Sequence, residues 1–163
     1  MAGPTRAVSA TSSPPDDRLT CIVTWRQQRQ RLQQNLQQTA CRSLNDMSDQ
    51  ELEQRLGGLC NDLMDYLATS HGSIYTRCYR AERVQHPARN ERSRLLKDIW
   101  LHLGRTTDAA LGFNQRCETT SMEALQHRLH AELGKLNKML SLRFALEEQL
   151  LELTAQAPAT SEG

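Results

Sequence analysis

Between Leu63 and Tyr75 the chain places Asp65, Tyr66, Ser70, His71, Ser73 and Tyr75 in a stretch whose flanks are those of an ordinary leucine-rich helix. A carboxylate, an imidazole, two phenols and two hydroxyls so close together can trade protons in a pocket, or offer charge and hydrogen bonds to another molecule. Helical phase separates these uses. With Leu63 at zero and about 100° per residue, Leu52, Leu56, Leu59, Leu67 and Ile74 fall on one face and Asp65 falls roughly opposite. Gly58 and Gly72, seven residues to either side of Asp65, lie near that outer face and leave open backbone that a partner surface could approach closely. The same phase also suits a solvated acid with no partner. His71 beside two tyrosines fits a packing histidine as well as a functional one.

Catalysis needs a nucleophile, a base and a stabilising group that converge, and no signature of such a set is present. The sequence lacks a phosphate-cradling glycine loop, an H-E-x-x-H motif and a nucleophile elbow. His127 and His130 share a helix face at i and i+3, yet no Glu-x-x-His motif accompanies them as in di-iron bundles, so a structural or solvated role is expected. No metal or cofactor is implied. Arg77, Arg80, Arg83, Arg89, Arg92, Arg94, Lys97 and Arg105 make the middle of the chain basic. Base-stacking aromatics are thin there, with Tyr79 and Trp100 alone, so a solvated face or an acidic protein partner fits better than nucleic acid.

The elements that position these residues are helices. The 163 residues suffice for one domain with a real core, and hydrophobic residues at 38% with aromatics at 4% mean that this core is built mainly from leucine. Acids at Asp16 and Asp17 open a first helix carrying Leu19, Ile22, Trp25, Leu32 and Leu36 at helical spacing. Ser48-Asp49-Gln50-Glu51 forms a capping box, with Met47 and Leu52 placed as a hydrophobic staple, and the second helix should run toward Arg83. After Pro87, Leu96, Ile99, Leu103, Thr106, Ala110, Phe113 and Cys117 trace a third helix. Thr120-Ser121-Met122-Glu123 reads as a second capping box, opening a fourth helix through Leu125, Leu129, Leu133, Leu136, Leu140, Phe144 and Leu151 that ends near Thr154. Connections of a few residues between helices this long predict antiparallel neighbours. The expected fold is all-α, an antiparallel up-down-up-down four-helix bundle over 16–154, with Leu56, Leu63, Leu103, Leu136 and Leu140 in its core. Residues 1–15 and 155–163, poor in large apolar side chains, are expected to be mobile.

A formal net charge of +1 argues against bulk electrostatic coating of nucleic acid. Five cysteines without a C-x-x-C pair suit reduced thiols better than a disulfide frame. The first residues lack an apolar signal region, and no run approaches the roughly 18 apolar residues of a membrane span, so a soluble cytoplasmic protein is expected.

Leu59-Cys60-Asn61-Asp62-Leu63-Met64-Asp65-Tyr66-Leu67, followed by Ser70-His71-Gly72-Ser73-Ile74-Tyr75, resembles the Rsd/AlgQ family, regulators of sigma D that act as bacterial anti-sigma factors. Arg143-Phe144-Ala145-Leu146-Glu147-Glu148-Gln149-Leu150 looks like that family's closing motif, and Trp25 stands where the family has a first-helix tryptophan. The resemblance implies a helical bundle that binds region 4 of the primary sigma factor in competition with core RNA polymerase and promoter recognition. It makes Asp65 the motif acid, with Tyr66, His71, Ser73 and Tyr75 as its motif neighbours and Trp25, Arg143 and Glu148 as further partner-binding residues. An acid that meets an arginine of a basic DNA-reading module is physically sensible. The sequence departs from the family at Gly72, where an aromatic is usual, at Thr76, where an acid is usual, and at Thr24-Trp25-Arg26, which replaces an Asp-Arg-Trp pattern.

Along the fourth helix, Arg143 and Glu147 at i and i+4 can form an ordinary surface ion pair, with Glu148 turned away by about 100° toward the sigma-facing surface. The reading is a non-enzymatic, anti-sigma-like transcription regulator. The alternatives are a helical module that docks another regulatory or metabolic protein, and a small enzyme or cofactor binder using a core pocket near Tyr66, His71 and Tyr75.

Overall fold

A computed structural model describes residues 16–42, 46–85 and 91–155. Its elements are α1 (Asp16–Cys41), α2 (Asp49–Thr69), a π-helical turn (Ser70–Tyr75), α3 (Thr76–Gln85), α4 (Glu91–Thr119) and α5 (Met122–Ala155). Because α2, the π turn and α3 follow one another without a break, the chain forms four rods. Among the described residues no strand is present, and no helix is long and apolar enough to cross a membrane. The termini expected to be mobile, 1–15 and 156–163, lie outside the described residues, as do Pro87 and Arg89. Ala155, expected in the tail, is the last residue of α5.

Local chemistry sets the helix starts. Ser48 caps α2 by accepting a hydrogen bond from the Glu51 backbone N–H at 3.2 Å, and Met47 is buried beside it as the staple requires. The second cap falls one residue later than the sequence suggests. Ser121, not Thr120, accepts from the Ala124 N–H at 3.4 Å, because α5 begins at Met122.

Contacts between named residues give the rod directions. Trp25 meets Ser70 while Asn35 meets Asp62, so α1 and α2 are antiparallel. Arg143 meets Thr106 while Arg116 meets Glu132, so α4 and α5 are antiparallel too. Asp49 bonds Gln126 and Tyr66 bonds Glu147, which makes α2 and α5 parallel. The α1·α2 and α4·α5 pairs make the broadest contacts, and α1 also touches α5.

The core is largely leucine: Leu56, Leu63, Leu103, Leu136 and Leu140 are all buried, with Ile99, Phe113, Leu129 and Leu133 around them. At about 25 cal/mol per Å² of apolar surface removed from water, each such side chain contributes about 1.5–3 kcal/mol. Leu19 departs from expectation, being 67% exposed, and Ile22 is only half-buried. α3 packs on α5 and the π turn, which leaves the first turns of α1 short of a facing helix.

Candidate functional site

The motif residues of α2 and α5 meet inside the bundle. Glu147 is fully buried on α5, in step with Leu136, Leu140, Arg143, Leu150 and Thr154. Its carboxylate accepts from the Tyr66 hydroxyl, from the Tyr75 hydroxyl at 2.6 Å and from Arg29 Nη2 at 3.2 Å. Burial first, and then the Glu147 charge, push both phenols above their ordinary range while Arg143 pulls the other way, so both act as neutral donors. Tyr66 also accepts from Arg143 Nε at 2.9 Å, and its hydroxyl thus bridges an acid and a base whose closest atoms are 3.9 Å apart.

Arg143 is fully buried and spends its donors on α4. Nη1 donates to Thr106 Oγ1 at 3.0 Å, Thr107 Oγ1 at 2.6 Å and the Leu103 carbonyl at 3.3 Å. Nη2 lies 3.4 Å from His71 Nε2. Arginine only donates, so that imidazole nitrogen is an acceptor and the ring is neutral. Burial and the nearby Arg143 charge hold the His71 pKa below its ordinary 6.5.

Arg29 of α1 closes the network on its other side. It donates to Glu148 Oε1 at 2.6 Å and to the Phe144 carbonyl at 3.3 Å, and its guanidinium stacks 4.1 Å from the Trp25 ring and 4.9 Å from Phe144. Burial opposes its charge, but Glu147 and Glu148 outweigh burial and hold the arginine above its ordinary pKa. Two arginines thus face two carboxylates. Such a set is stable only while every member keeps its partners.

The π turn brings this chemistry together. In an α-helix, residues five apart differ by about 140°, whereas a turn closing i to i+5 returns them to nearly one face. Ser70 and Tyr75 are accordingly both buried. Ser70 accepts from Trp25 Nε1 at 2.8 Å and donates to the Tyr66 carbonyl at 2.7 Å. Tyr75 packs edge-on against His71 and against Trp100, which Tyr79 also touches. The two aromatics of the basic stretch therefore pack on one another, and Trp100 Nε1 donates to Glu82 at 3.2 Å.

The eight sequence-selected residues divide by environment. Trp25, Tyr66, Tyr75 and Arg143 point inward and are 5% exposed or less: Tyr66, Tyr75 and Arg143 are directed at Glu147 by the phase of α2, the π turn and the phase of α5, and Trp25 of α1 is directed at Ser70. Asp65 is exposed on the outer face of α2 and makes no hydrogen bond or ion pair among the described residues. His71 is at the rim and Ser73 is half-buried. Glu148 is half-exposed but is not turned toward free solvent: Arg26 at 3.2 Å and Arg29 hold it. The Arg143–Glu147 pair, expected on the surface, is 0% exposed on both sides.

Sequence reasoning missed Arg29 and Thr107, the parts that Ser70 and Thr106 play as hydrogen-bond partners of Trp25 and Arg143, and the buried place of Glu147. His127 and His130 are exposed, and among the described residues no group of three or more His, Cys, Asp and Glu side chains is arranged to hold a metal ion. Comparison with curated proteins and with solved structures returned no match. Residues 11–155, which contain all four rods, the buried Glu147 network and the exposed Asp65, match the family described as Regulator of RNA polymerase sigma(70) subunit, Rsd/AlgQ, and the chain belongs to that family.

Proposed function

We propose that this protein is a non-enzymatic regulator that binds region 4 of the primary sigma factor and so limits its use by core RNA polymerase in the cytoplasm. The observation that carries this reading is Asp65, an exposed acid without an internal partner on a helix braced from behind by the Glu147 network. Region 4 is a basic DNA-reading module, and a carboxylate fixed on a rigid element is suited to meet one of its arginines. A Cβ at Gly72 meets nothing within 4 Å, so the chain's own packing does not require glycine at this departure from the family pattern. His71 and Ser73 form the rim of this face, while Trp25, Tyr66, Tyr75 and Arg143 act on it indirectly by fixing the π turn.

The test is a titration of purified sigma region 4 with wild-type protein and Asp65→Ala. Losing one member of a buried charge pair costs about 2–5 kcal/mol of binding, tenfold in Kd for each ~1.4 kcal/mol. An Asp65→Ala protein that folds normally and binds with unchanged Kd would overturn the role of this face.

A further inference from the structure

The flank of α2 beside Asp65 opens into a cleft of about 530 Å³ between α2 and the last turns of α4. Met64, the residue before Asp65, lines its near end and is exposed. Glu53 lines the far end, about three turns or ~16 Å back along α2. Met122, the first residue of α5, belongs to that far end too, because the Asp49–Gln126 hydrogen bond sets the start of α5 beside the start of α2. Leu56 is buried beneath them, and a Cβ at Gly57 meets no atom within 4 Å, so the cleft reaches the backbone of α2.

The charges that line this cleft are of one sign. Glu53 on α2 and Glu118 on α4 are both exposed, and the lining contains no lysine, arginine or histidine. Among the described residues Glu53 makes no hydrogen bond or ion pair, and Glu118 accepts at 3.4 Å from the uncharged Asn114 amide. Arg116, the cation in the last turn of α4, is held by Glu132 of α5 at 2.7 and 3.1 Å. Acids on the two walls of a groove focus a negative potential between them, and the C-terminal end of α4 adds to it. Apolar surface from Leu56, Met64 and Met122 lies in the same space, and methionine adapts to irregular partners. An anion is repelled there, and a purely apolar group leaves the acids without a counterion. A long side chain with an apolar stem and a cationic head satisfies both.

We propose that this cleft extends the Asp65 contact and takes an arginine or lysine side chain of sigma region 4, its stem against Met64 and Met122 and its charge in the field of Glu53 and Glu118. The inference rests on the region 4 reading of the Asp65 face. Two observations join it to that reading: Met64 and Asp65 are consecutive, and the partner is basic where the lining is acidic. The contact then runs from Asp65 back along α2 to the start of α5.

The test is a titration of the full chain, labelled with carbon-13 at its methionine methyl groups, with purified region 4. The Met64 and Met122 signals should move to saturation while Met139, which lines a different groove between α4 and α5, stays in place. Met122 is the discriminating signal, since it lies at the end away from Asp65. Gly57→Leu, which fills the cleft from a position with no neighbour to displace, should raise Kd about tenfold or more, and so should Glu53→Lys combined with Glu118→Lys. If Asp65→Ala weakens binding while Met122 stays unmoved and Gly57→Leu binds like wild type, the cleft proposal is overturned and the Asp65 reading stands. If wild type does not bind region 4, both fall. Movement of Met64 and Met122 with spermidine but not with region 4 would assign the cleft to a small polycation and also overturn the proposal. The wild-type spectra decide the matter even if a variant folds poorly.

Discussion

Asp65 and Tyr66 are consecutive on α2, yet one side chain stands in solvent without a partner while the other is 0% exposed with its hydroxyl between Glu147 and Arg143. A rotation of about 100° separates an acid that can be removed at little internal cost from a phenol whose loss unbalances four charged groups. The contrast explains why one short motif holds residues with two different duties. The inward set fixes the helix and its π turn, and under the proposed function the outward acid is the contact carried on the surface thus fixed. On this view the family motif is a brace and a contact interleaved along one helix.

The sharpest way to break the contrast is to remove the acid at the centre of the brace. Glu147→Ala leaves Arg29 and Arg143 facing each other across a dry space, and unfolding in denaturant should show a loss of about 3–5 kcal/mol. Leu63→Ala, an apolar truncation on the same side of α2, should cost about 2–5 kcal/mol through lost burial and a cavity. Glu147→Gln, which keeps shape and accepting ability, should lose less than Glu147→Ala. A loss below about 1 kcal/mol for Glu147→Ala would mean that the network is a bystander to folding.

Much of the fold was legible because leucines at three- and four-residue spacing can be satisfied in few other ways. All five residues expected in the core are buried, and the Ser48 cap is where the motif puts it. The network was less legible, although its signal was present. Arg29 stands in phase with Trp25, Leu32 and Leu36, Thr106 with Leu103 and Ala110, and Glu147 with Leu140 and Leu150. Polar residues in a core register announce a buried network when they can partner one another. Taking Arg143 and Glu147 as an isolated i,i+4 pair hid that, since the register of α5 as a whole decides their exposure. The π turn carried no such signal: its presence depends on Ser70 and Tyr75 both finding partners on other rods, a tertiary condition that helical periodicity does not encode.

A gentler probe separates the hydrogen bonds of the brace from its packing. Tyr75→Phe keeps the ring against Trp100 and His71 but removes the donor to Glu147 Oε2. A buried carboxylate oxygen left short of a partner costs about 1–3 kcal/mol, and that is the destabilisation expected in denaturant. If the variant is as stable as wild type, Arg143, whose Nε is 3.9 Å from the same oxygen, has moved in to replace the phenol.

The smallest expected effect lies at the boundary between the two faces, where the His71 ring is exposed while its Nε2 touches Thr107 at 3.1 Å and Arg143 at 3.4 Å. The folded protein holds this imidazole below 6.5, first by burial and then by the Arg143 charge. The unfolded chain therefore takes up the proton more readily than the folded one. Between the unfolded and folded pKa values the unfolded state binds more protons, so stability rises with pH. The contribution is complete above about 6.5 and is lost as pH falls through the lower folded value. Solvent access to the ring keeps the change small. Comparing wild type with His71→Gln isolates it: the wild type should lose more stability than the variant when pH is taken from 7.5 to 5, because glutamine cannot bring a second cation beside Arg143. Parallel pH profiles for the two proteins would place His71 wholly with the outer face, outside the electrostatic reach of the brace.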